Sequence, residues 1–259
     1  MNQSALEKNL AELGISAIRF FDSIGSTNDE ALTWAAEGSP DCALVVADEQ
    51  TKGRGRLNRH WITEPDAALA FSLILRPTEM EARSIQLFSA LGAVGVQQSL
   101  ERLYNLPALI KWPNDVLVNE KKLCGILVET VWMGQQIESL VIGIGVNVAP
   151  SSVPDPAGLM FPATCVESEA GEEIDRLMLL KKILENIFSW RKQLSCEAFY
   201  ATYKKHLAFR GRWVKINMPG EIEISGILRG LGKDGSLLLE NDLGEEISIA
   251  AGDLRLRPN

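Results

Sequence analysis

Hydrophobic and polar positions alternate along this chain in two rhythms, and the changes of rhythm mark its elements. The opening stretch MNQSALEKNLAELG is charged and amphipathic; Ser4-Ala5-Leu6-Glu7 has the form of a capping box and Gly14 offers a stop, which predicts a short helix. Residues 17–21 are strand-like. Thr27-Asn28-Asp29-Glu30 is a second capping-box pattern, leading a helix through Ala31, Leu32, Trp34 and Ala35 to Gly38. Residues 43–47 and 67–75 read as buried strands, and a long helix rich in Leu, Ala and Val is predicted over 79–104. Strand-like segments then flank Lys111-Trp112-Pro113-Asn114-Asp115. Residues 116–118 are expected to pair with 123–129 across a turn at Asn119-Glu120-Lys121, and a further strand runs over 137–146. Residues 150–171 hold four prolines and little pattern, which predicts a surface excursion. Helical spacing returns over 174–190, with Ile174, Leu177, Leu180, Leu184 and Ile187 on one face.

After Gly211 the texture changes. Short alternating runs (213–216, 221–228, 236–240 and 246–249) are broken by Pro219-Gly220, Asp234-Gly235 and Asn241-Asp242. That spacing predicts a small antiparallel barrel. The chain is therefore read as α+β: a mixed β-sheet with flanking helices over 1–209, then the barrel over 210–259. No internal repeat or low-complexity segment interrupts it.

Composition narrows the field. The 259 residues suffice for one large domain and one small one, and 46% hydrophobic with 23% charged residues is ordinary for a globular protein. A formal net charge of −8 argues against nucleic acid as the main partner. Cys42, Cys124, Cys165 and Cys196 are scattered, without a CxxC pair or zinc spacing, and are expected to be reduced and mostly buried. His60 and His206 have no plausible second metal ligand nearby, so neither a His-based metal site nor a Ser-His-Asp triad is supported. The N-terminus lacks the form of a signal peptide and no apolar run reaches about 18 residues, so a cytoplasmic protein that does not enter a membrane is expected.

Two stretches remain that packing does not explain. In Gln50-Thr51-Lys52-Gly53-Arg54-Gly55-Arg56-Leu57-Asn58-Arg59-His60-Trp61, glycine and arginine alternate with no apolar period, which makes a loop. Glycines admit a close ligand and φ above zero, and arginines offer rigid donor forks for carboxylate and phosphate. The Walker A pattern is absent, and the loop does not open a helix as a dinucleotide fingerprint should. A solvated Arg-Gly loop, of the kind that can contact RNA, is the plainer alternative. The second stretch is Lys111-Trp112-Pro113-Asn114-Asp115 with Lys122 and Gly125-Ile126-Leu127. It could be an ordinary turn, yet charges set among apolar strands need partners or a charged ligand.

Ser26-Thr27-Asn28, Gln50 with Gly53-Arg54-Gly55-Arg56, Lys111 to Asp115, Lys122-x-x-Gly125-Ile126-Leu127 and Gly143-Ile144-Gly145-Val146-Asn147 stand in the order and spacing of the bacterial biotin–protein ligases, which this chain resembles from about Phe20 to Asn147 and in its terminal barrel. The resemblance implies a catalytic domain like that of class II aminoacyl-tRNA synthetases followed by an SH3-like barrel. It implies that Ser26, Thr27 and Asn28 contact biotin and that Gln50 holds its ureido ring from the other side. Arg54, Gly55 and Arg56 would fold over biotin and its adenylate, Lys122 would bind the carboxyl end, Lys111 and Asp115 would serve ATP and Mg²⁺, and Asn147 would line the pocket. Gly53, Trp61, Asn114, Gly125 and Ile126 complete the expected binding set, with Arg56, Lys111, Asp115 and Lys122 as its catalytic members and no metal ligand on the protein. The family continues its loop as GRGRxGR; here the later glycine is Asn58, the non-glycine residue most tolerant of left-handed geometry.

The implied activity is ATP-dependent: biotin becomes biotinyl-5′-AMP and then passes to a lysine of a biotin carboxyl carrier protein. Two anions meet in the first step, so cations rather than a nucleophilic side chain are required. Lipoate or octanoate attachment is the rival within the same broad fold, and a non-catalytic biotin binder is another. A biotin-sensing repressor is a rival of a different class; about 20 residues precede Asp22-Ser23, so direct DNA binding is not expected. Monomer and homodimer through the central sheet both stay open.

Overall fold

The computed structural model of the chain describes every residue except 62, 156–160, 219–221, 251, 252 and 256–259, and of residues 58 and 253–255 the backbone alone. The first helix, α1 (Gln3–Leu10), runs into a short 3₁₀ turn that ends at Gly14, φ 73°. Its cap is Asn2, whose side chain accepts the Ala5 N–H at 2.8 Å, so the capping pattern at Ser4 is not used. Strand β1 (Ala17–Ile24), helix α2 (Thr27–Ala36) and strand β2 (Ala43–Gln50) form a parallel β-α-β unit, with Ala17 opposite Ala43 and Ile24 opposite Gln50. Ser26 caps α2 by accepting from the Asp29 N–H, and Thr27 is its first helical residue, so the helix starts one position earlier than the motif suggests. Strand β3 (Ala68–Leu75) returns antiparallel to β2 and is buried throughout.

In place of one helix over 79–104 there are two, α3 (Glu79–Ala82) and α4 (Leu87–Tyr104). The first buries none of its residues, so packing does not hold it in line with α4. Strands β4 (Leu109–Lys111), β5 (Asp115–Val118), β6 (Lys121–Met133) and β7 (Gln136–Asn147) follow. The β5–β6 turn is Asn119 and Glu120, both at positive φ, a hairpin geometry that suits strand twist; Lys121 already belongs to β6. Among the described residues the seven strands lie in the order β1-β2-β3-β7-β6-β5-β4.

The excursion expected over 150–171 is only partly on the surface. Ser152, Thr164, Cys165 and Val166 are buried, and α5 (Val166–Ala170) follows. Proline hides this pairing in the sequence because it lacks a donor, yet the Pro162 carbonyl accepts the Lys122 N–H at 2.7 Å and Thr164 N–H donates to the Lys122 carbonyl. Helix α6 (Arg176–Arg191) is capped by Asp175. Helix α7 (Glu197–Lys205), not expected from the sequence, buries only Phe199 and Tyr203, one turn apart. The chain then enters a second, antiparallel sheet: β8 (Trp213–Asn217), β9 (Glu223–Leu231), β10 (Leu237–Glu240), β11 (Glu246–Ile249) and β12 (Asp253–Arg255), in the order β11-β10-β9-β8-β12. The turn expected at Pro219-Gly220 lies outside the described residues. Among the described residues no helix is long and apolar enough to cross a membrane. Two of the four free cysteines, Cys124 and Cys165, are buried; Cys196 is exposed, contrary to expectation.

Alternation along the strands divides the large sheet into two faces. Leu69, Phe71, Leu73 and Leu75 of β3, Ile126 of β6 and Ile142 and Ile144 of β7 join the main core with α4, α6 and α1. Val45, Ile74 and Val141 face the other way and pack on Ala31 and Ala35 of α2. Val214, Ile216, Leu237 and Leu239 of the second sheet continue the main core, and the Trp112 indole donates to the Gly235 carbonyl at 3.2 Å. The two sheets are thus fastened together beside the β4–β5 turn.

Helix α4 meets α6 where Gly95 faces Ile187. A Cβ at Gly95 would lie 2.7 Å from Ile187 Cγ1 and 3.4 Å from the Ile183 carbonyl oxygen. Replacing a helical glycine with alanine ordinarily adds up to about 1 kcal/mol of stability, but overpacking a filled core costs about 1–3 kcal/mol. Gly95→Ala is therefore expected to lower the urea unfolding midpoint; a raised midpoint would show that α6 yields freely.

Candidate active site

The pairing register builds a floor without side chains on the α2 face of the large sheet. Ala47 of β2 lies opposite Ala70 of β3, Ala70 opposite Gly145 of β7, and Gly145 opposite Gly125 of β6. The row continues to Asp115 of β5 and ends at Lys111 of β4. One row further along the strands, Val45, Ser72, Gly143 and Leu127 are neighbours. Five sheet positions around Gly145 thus carry no side chain or a small one. With strands about 4.8 Å apart, Gly145 and Lys111 are separated by roughly 14 Å along the row. A shallow hollow and an ion cluster share one face.

At the hollow's inner rim the first turn of α2 supplies a polar network. The Gln50 amide oxygen accepts from the Thr27 N–H at 2.8 Å and lies 3.0 Å from its hydroxyl. The Ser72 hydroxyl is 2.8 Å from Thr27 Oγ1 and 2.6 Å from Asn28 Oδ1. Asn28 Nδ2 donates to Glu129 Oε2 at 2.8 Å. Ser26, Thr27, Asn28 and Ser72 are all buried. A Cβ at Gly143 would stand 2.0 Å from Asn28 Oδ1, so glycine there is what admits Asn28 to the sheet.

Residues 51–61 form the roof. Two bridges, Arg54 with His60 and Gln50 with Thr63, shape the segment into a narrow hairpin. Neither Gly53 nor Gly55 has a positive φ: Gly55 is extended, and Gly53 is needed because a Cβ would lie 2.3 Å from the Trp61 carbonyl oxygen. The left-handed residue is Leu57, φ 56°, one position before Asn58, whose side chain lies outside what is described. Trp61 turns its indole down onto the floor. A Cβ at Gly145 would lie 2.4 Å from its ring and one at Gly125 3.1 Å away. Its ring N–H is buried with no partner among the described residues.

Arg54 does not point into the hollow. Its guanidinium makes a two-pronged bond to Glu129, at 2.9 and 2.7 Å, and reaches Asp29 at 2.6 Å. The Glu129 hydrogen bonds hold its pKa above the ordinary arginine value. Arg56 instead reaches across to Asn114, with Nη1 3.2 Å from Asn114 Oδ1. Asn114 is fixed in turn by pairing with the Ile126 backbone.

At the far end of the row Asp115 sits between two lysines, Lys122 at 2.7 Å and Lys111 at 3.6 Å. Lys111 also lies over the Phe161 ring and Lys122 over Trp61. The trio carries one positive charge in excess, and the Arg56 guanidinium lies beside it at Asn114. Cys124, the neighbouring thiol, is no candidate nucleophile, because complete burial holds its pKa far above neutrality. Among the described residues no three His, Cys, Asp or Glu side chains are grouped to hold a metal ion.

A second recess of about 200 Å³ opens behind Arg56 and Asn114, between Ser89 of α4, Trp112 and Gly235 of the second sheet. Two expected residues are engaged otherwise. Asn147 donates its amide to the Thr164 carbonyl at 3.0 Å, tying down the end of β7, and Ile126 packs its side chain against α4 at Gly92. Ser72 and Glu129 were not anticipated. The signal was a single polar residue inside the apolar run 68–75 for Ser72, and a single charged residue inside the run 123–131 for Glu129.

The biotin/lipoate A/B protein ligase family model matches residues 20–147. The bifunctional ligase/repressor BirA of Bacillus subtilis (strain 168) is 41% identical over 250 residues, covering 92% of this chain and 73% of that protein. The biotin--[acetyl-CoA-carboxylase] ligase of Paracoccus denitrificans is 34% identical over 233 residues, covering 87% of this chain and 95% of that one. Among solved structures, the biotin protein ligase from Aquifex aeolicus in complex with biotin and ATP superposes with a TM-score of 0.76 at 30% identity, covering 94% of this chain and all of that one.

The indole over Gly145 can be tested by substitution. Gly145→Ala is expected to displace Trp61 while the sheet persists. In protein labelled with fluorotryptophan, the ¹⁹F resonance assigned to Trp61 by Trp61→Phe should move and the other five hold still. An unmoved Trp61 resonance would contradict the packing.

Proposed function

The chain belongs to the biotin/lipoate A/B protein ligase family, and from that premise we propose that it is a biotin–protein ligase, activating biotin with ATP as biotinyl-5′-AMP and passing it to a lysine of a carboxylase carrier domain. The observation that carries this reading is the cross-strand row itself. A floor of Gly145, Gly125 and Gly143 leaves room for a compact bicyclic ring once the Trp61 indole lifts from it, and the Lys111–Asp115–Lys122 cluster lies where a pentanoate chain's carboxylate would end.

The polar rim favours biotin over lipoate. Thr27, Asn28, Gln50, Ser26 and Ser72 present hydroxyl and amide groups that match a ureido ring's two N–H donors and one acceptor. A dithiolane or alkyl chain would offer that polar rim no hydrogen-bonding partner, and a site built to hydrogen-bond its substrate rejects an analogue without those groups by as much as about 10⁴-fold.

In the first step a carboxylate oxygen attacks the α-phosphorus of ATP and pyrophosphate departs. Two like charges 4 Å apart repel by about 4 kcal/mol at an effective dielectric constant near 20, equivalent to roughly three powers of ten in rate. Arg56, Lys111 and Lys122 are placed to offset that repulsion by their position at the β4–β5 turn, whereas Arg54 is turned away from it toward Glu129 and Asp29. Arg56 and Asn114 border both the hollow and the second recess, which supports placing the nucleotide over them. In the second step the carrier's lysine amine attacks the acyl carbon and AMP leaves. No side-chain nucleophile is required.

Magnesium enters this reading as an ion carried by the triphosphate. The donor set does not build a resident site, since Asp115 is already neutralised by two lysines, and no step is assigned to the ion here. The reading also takes the large sheet as a catalytic domain like that of class II aminoacyl-tRNA synthetases over 1–209, and the five strands that follow as an SH3-like barrel over 210–259. The return of the chain at Phe209, φ 63°, supports that boundary.

ATP–pyrophosphate exchange measured separately with biotin, lipoate and octanoate tests the assignment. Exchange is expected with biotin, with kcat/KM for the other two acids at least about 10³-fold lower. Comparable exchange with lipoate, or none with biotin, would contradict it.

A further inference from the structure

Glu129 stands outside every motif that identified the site, yet it holds two of its parts. It follows Leu127 on the site-facing side of β6, opposite Val141, one step beyond Gly143 along the sheet. Its Oε2 accepts from Asn28 Nδ2 at 2.8 Å and from Arg54 Nη2 at 2.7 Å, while Oε1 accepts from Arg54 Nη1 at 2.9 Å. Arg54 is in turn paired with Asp29 in the first turn of α2. One carboxylate therefore joins the sheet, the α2 terminus and the roof hairpin.

A half-exposed ion pair of this sort contributes little to global stability. Three features make it more than a surface pair. The arginine contact is two-pronged, which fixes the guanidinium plane as well as its distance. The third bond goes to Asn28, which is 4% exposed and has its other amide atom engaged by Ser72. Finally, Arg54 lies in the hairpin strand opposite His60, one residue from Trp61, so restraining Arg54 restrains the indole over Gly145. The same charge leaves Arg54 matched, so the cations facing the reacting end are those of Arg56 and the two lysines.

We propose that Glu129 is a positioning residue for biotin activation: acting through Arg54 and Asn28, it sets the height of the roof hairpin over the glycine floor and the orientation of the amide that meets the ureido ring. This rests on the reading of the hollow as a biotin site. A carboxylate is required, because a carboxamide can accept from Asn28 or receive one prong of Arg54 but cannot present two equivalent acceptors to a guanidinium. The energetic signature is asymmetric. Losing the restraint loosens acid binding and the retained adenylate, and leaves nucleotide binding, which leans on Arg56 and Asn114, almost untouched.

The test compares wild type, Glu129→Gln, Arg54→Gln and the double variant in ATP–pyrophosphate exchange, together with tryptic cleavage after Arg56 and Arg59 in ligand-free protein. Glu129→Gln is expected to raise the KM for biotin about tenfold, within the range that misplacement of a positioning group produces. The KM for ATP and kcat should change less than about twofold, and the melting temperature should change little. Arg54→Gln should act in the same direction, and the double variant should be no worse than the more affected single one. Hairpin cleavage should accelerate in both single variants. Unchanged biotin KM and unchanged cleavage, or an equal rise in both KM values, would overturn the assignment. If Glu129→Gln does not fold, Arg54→Gln carries the same comparison. If wild type itself shows no exchange with biotin, the biotin reading fails, and the cleavage rates still decide whether Glu129 holds the hairpin.

Discussion

Everything in this site depends on positions where the sheet has no side chains. A strand sends alternate residues to opposite faces, so a row of small residues clears one face and leaves the other packed. Gly125, Gly143 and Gly145 clear the α2 face, while Ile126, Ile142 and Ile144 between them fill the core under α4. The same backbone thus closes a rigid core on one side and opens a hollow on the other. Glycine costs strand stability through its entropy and missing contacts, and three of them in two adjacent strands are intelligible when something must lie against them. Asn28 and Trp61 already use that space, at distances a β-carbon would forbid.

Charge is arranged around the hollow in two separate balances. At the α2 end, Arg54 faces two carboxylates and Asn28 shares one of them, which makes a closed polar assembly suited to holding shape. At the β4–β5 end, one carboxylate faces two lysines, which outnumber it, and Arg56 reaches Asn114 nearby. The contrast explains why two arginines two residues apart in one loop do different work. One fastens the roof, and the other reaches the β4–β5 turn at Asn114. The acidity of the whole chain, at −8, is no obstacle, because these charges act over a few ångströms inside partly desolvated surroundings.

Much of the outline could be read from the residues before any coordinates. Apolar runs located β2, β3, β6 and β7, and alternating runs located the second sheet, because burial on one or both faces leaves a period in the sequence. The glycine-arginine loop and the KWPND stretch were visible because they lacked any such period. What stayed hidden depends on pairing. The register that sets Gly145 beside Gly125, and Asp115 beside Lys111, includes an irregularity between Val116 and Leu117 that no local pattern reveals. Ser72, inside a strand read as buried, and Glu129 carried no local mark of function until that register placed them against α2. Helix α7 escaped notice because its buried residues are few, and the break before α4 because no glycine or proline marks it.

The central claim is that a carboxylate lying along this row becomes joined to the α-phosphorus of ATP before any amine attacks it. Isotope transfer tests this most directly. With biotin carrying ¹⁸O in both carboxylate oxygens, ATP and a carrier domain, one oxygen should bridge carbon and phosphorus and remain with phosphorus when the lysine displaces it. The account predicts AMP containing one ¹⁸O per biotin transferred. AMP free of ¹⁸O, with the label found in pyrophosphate or phosphate, would contradict it.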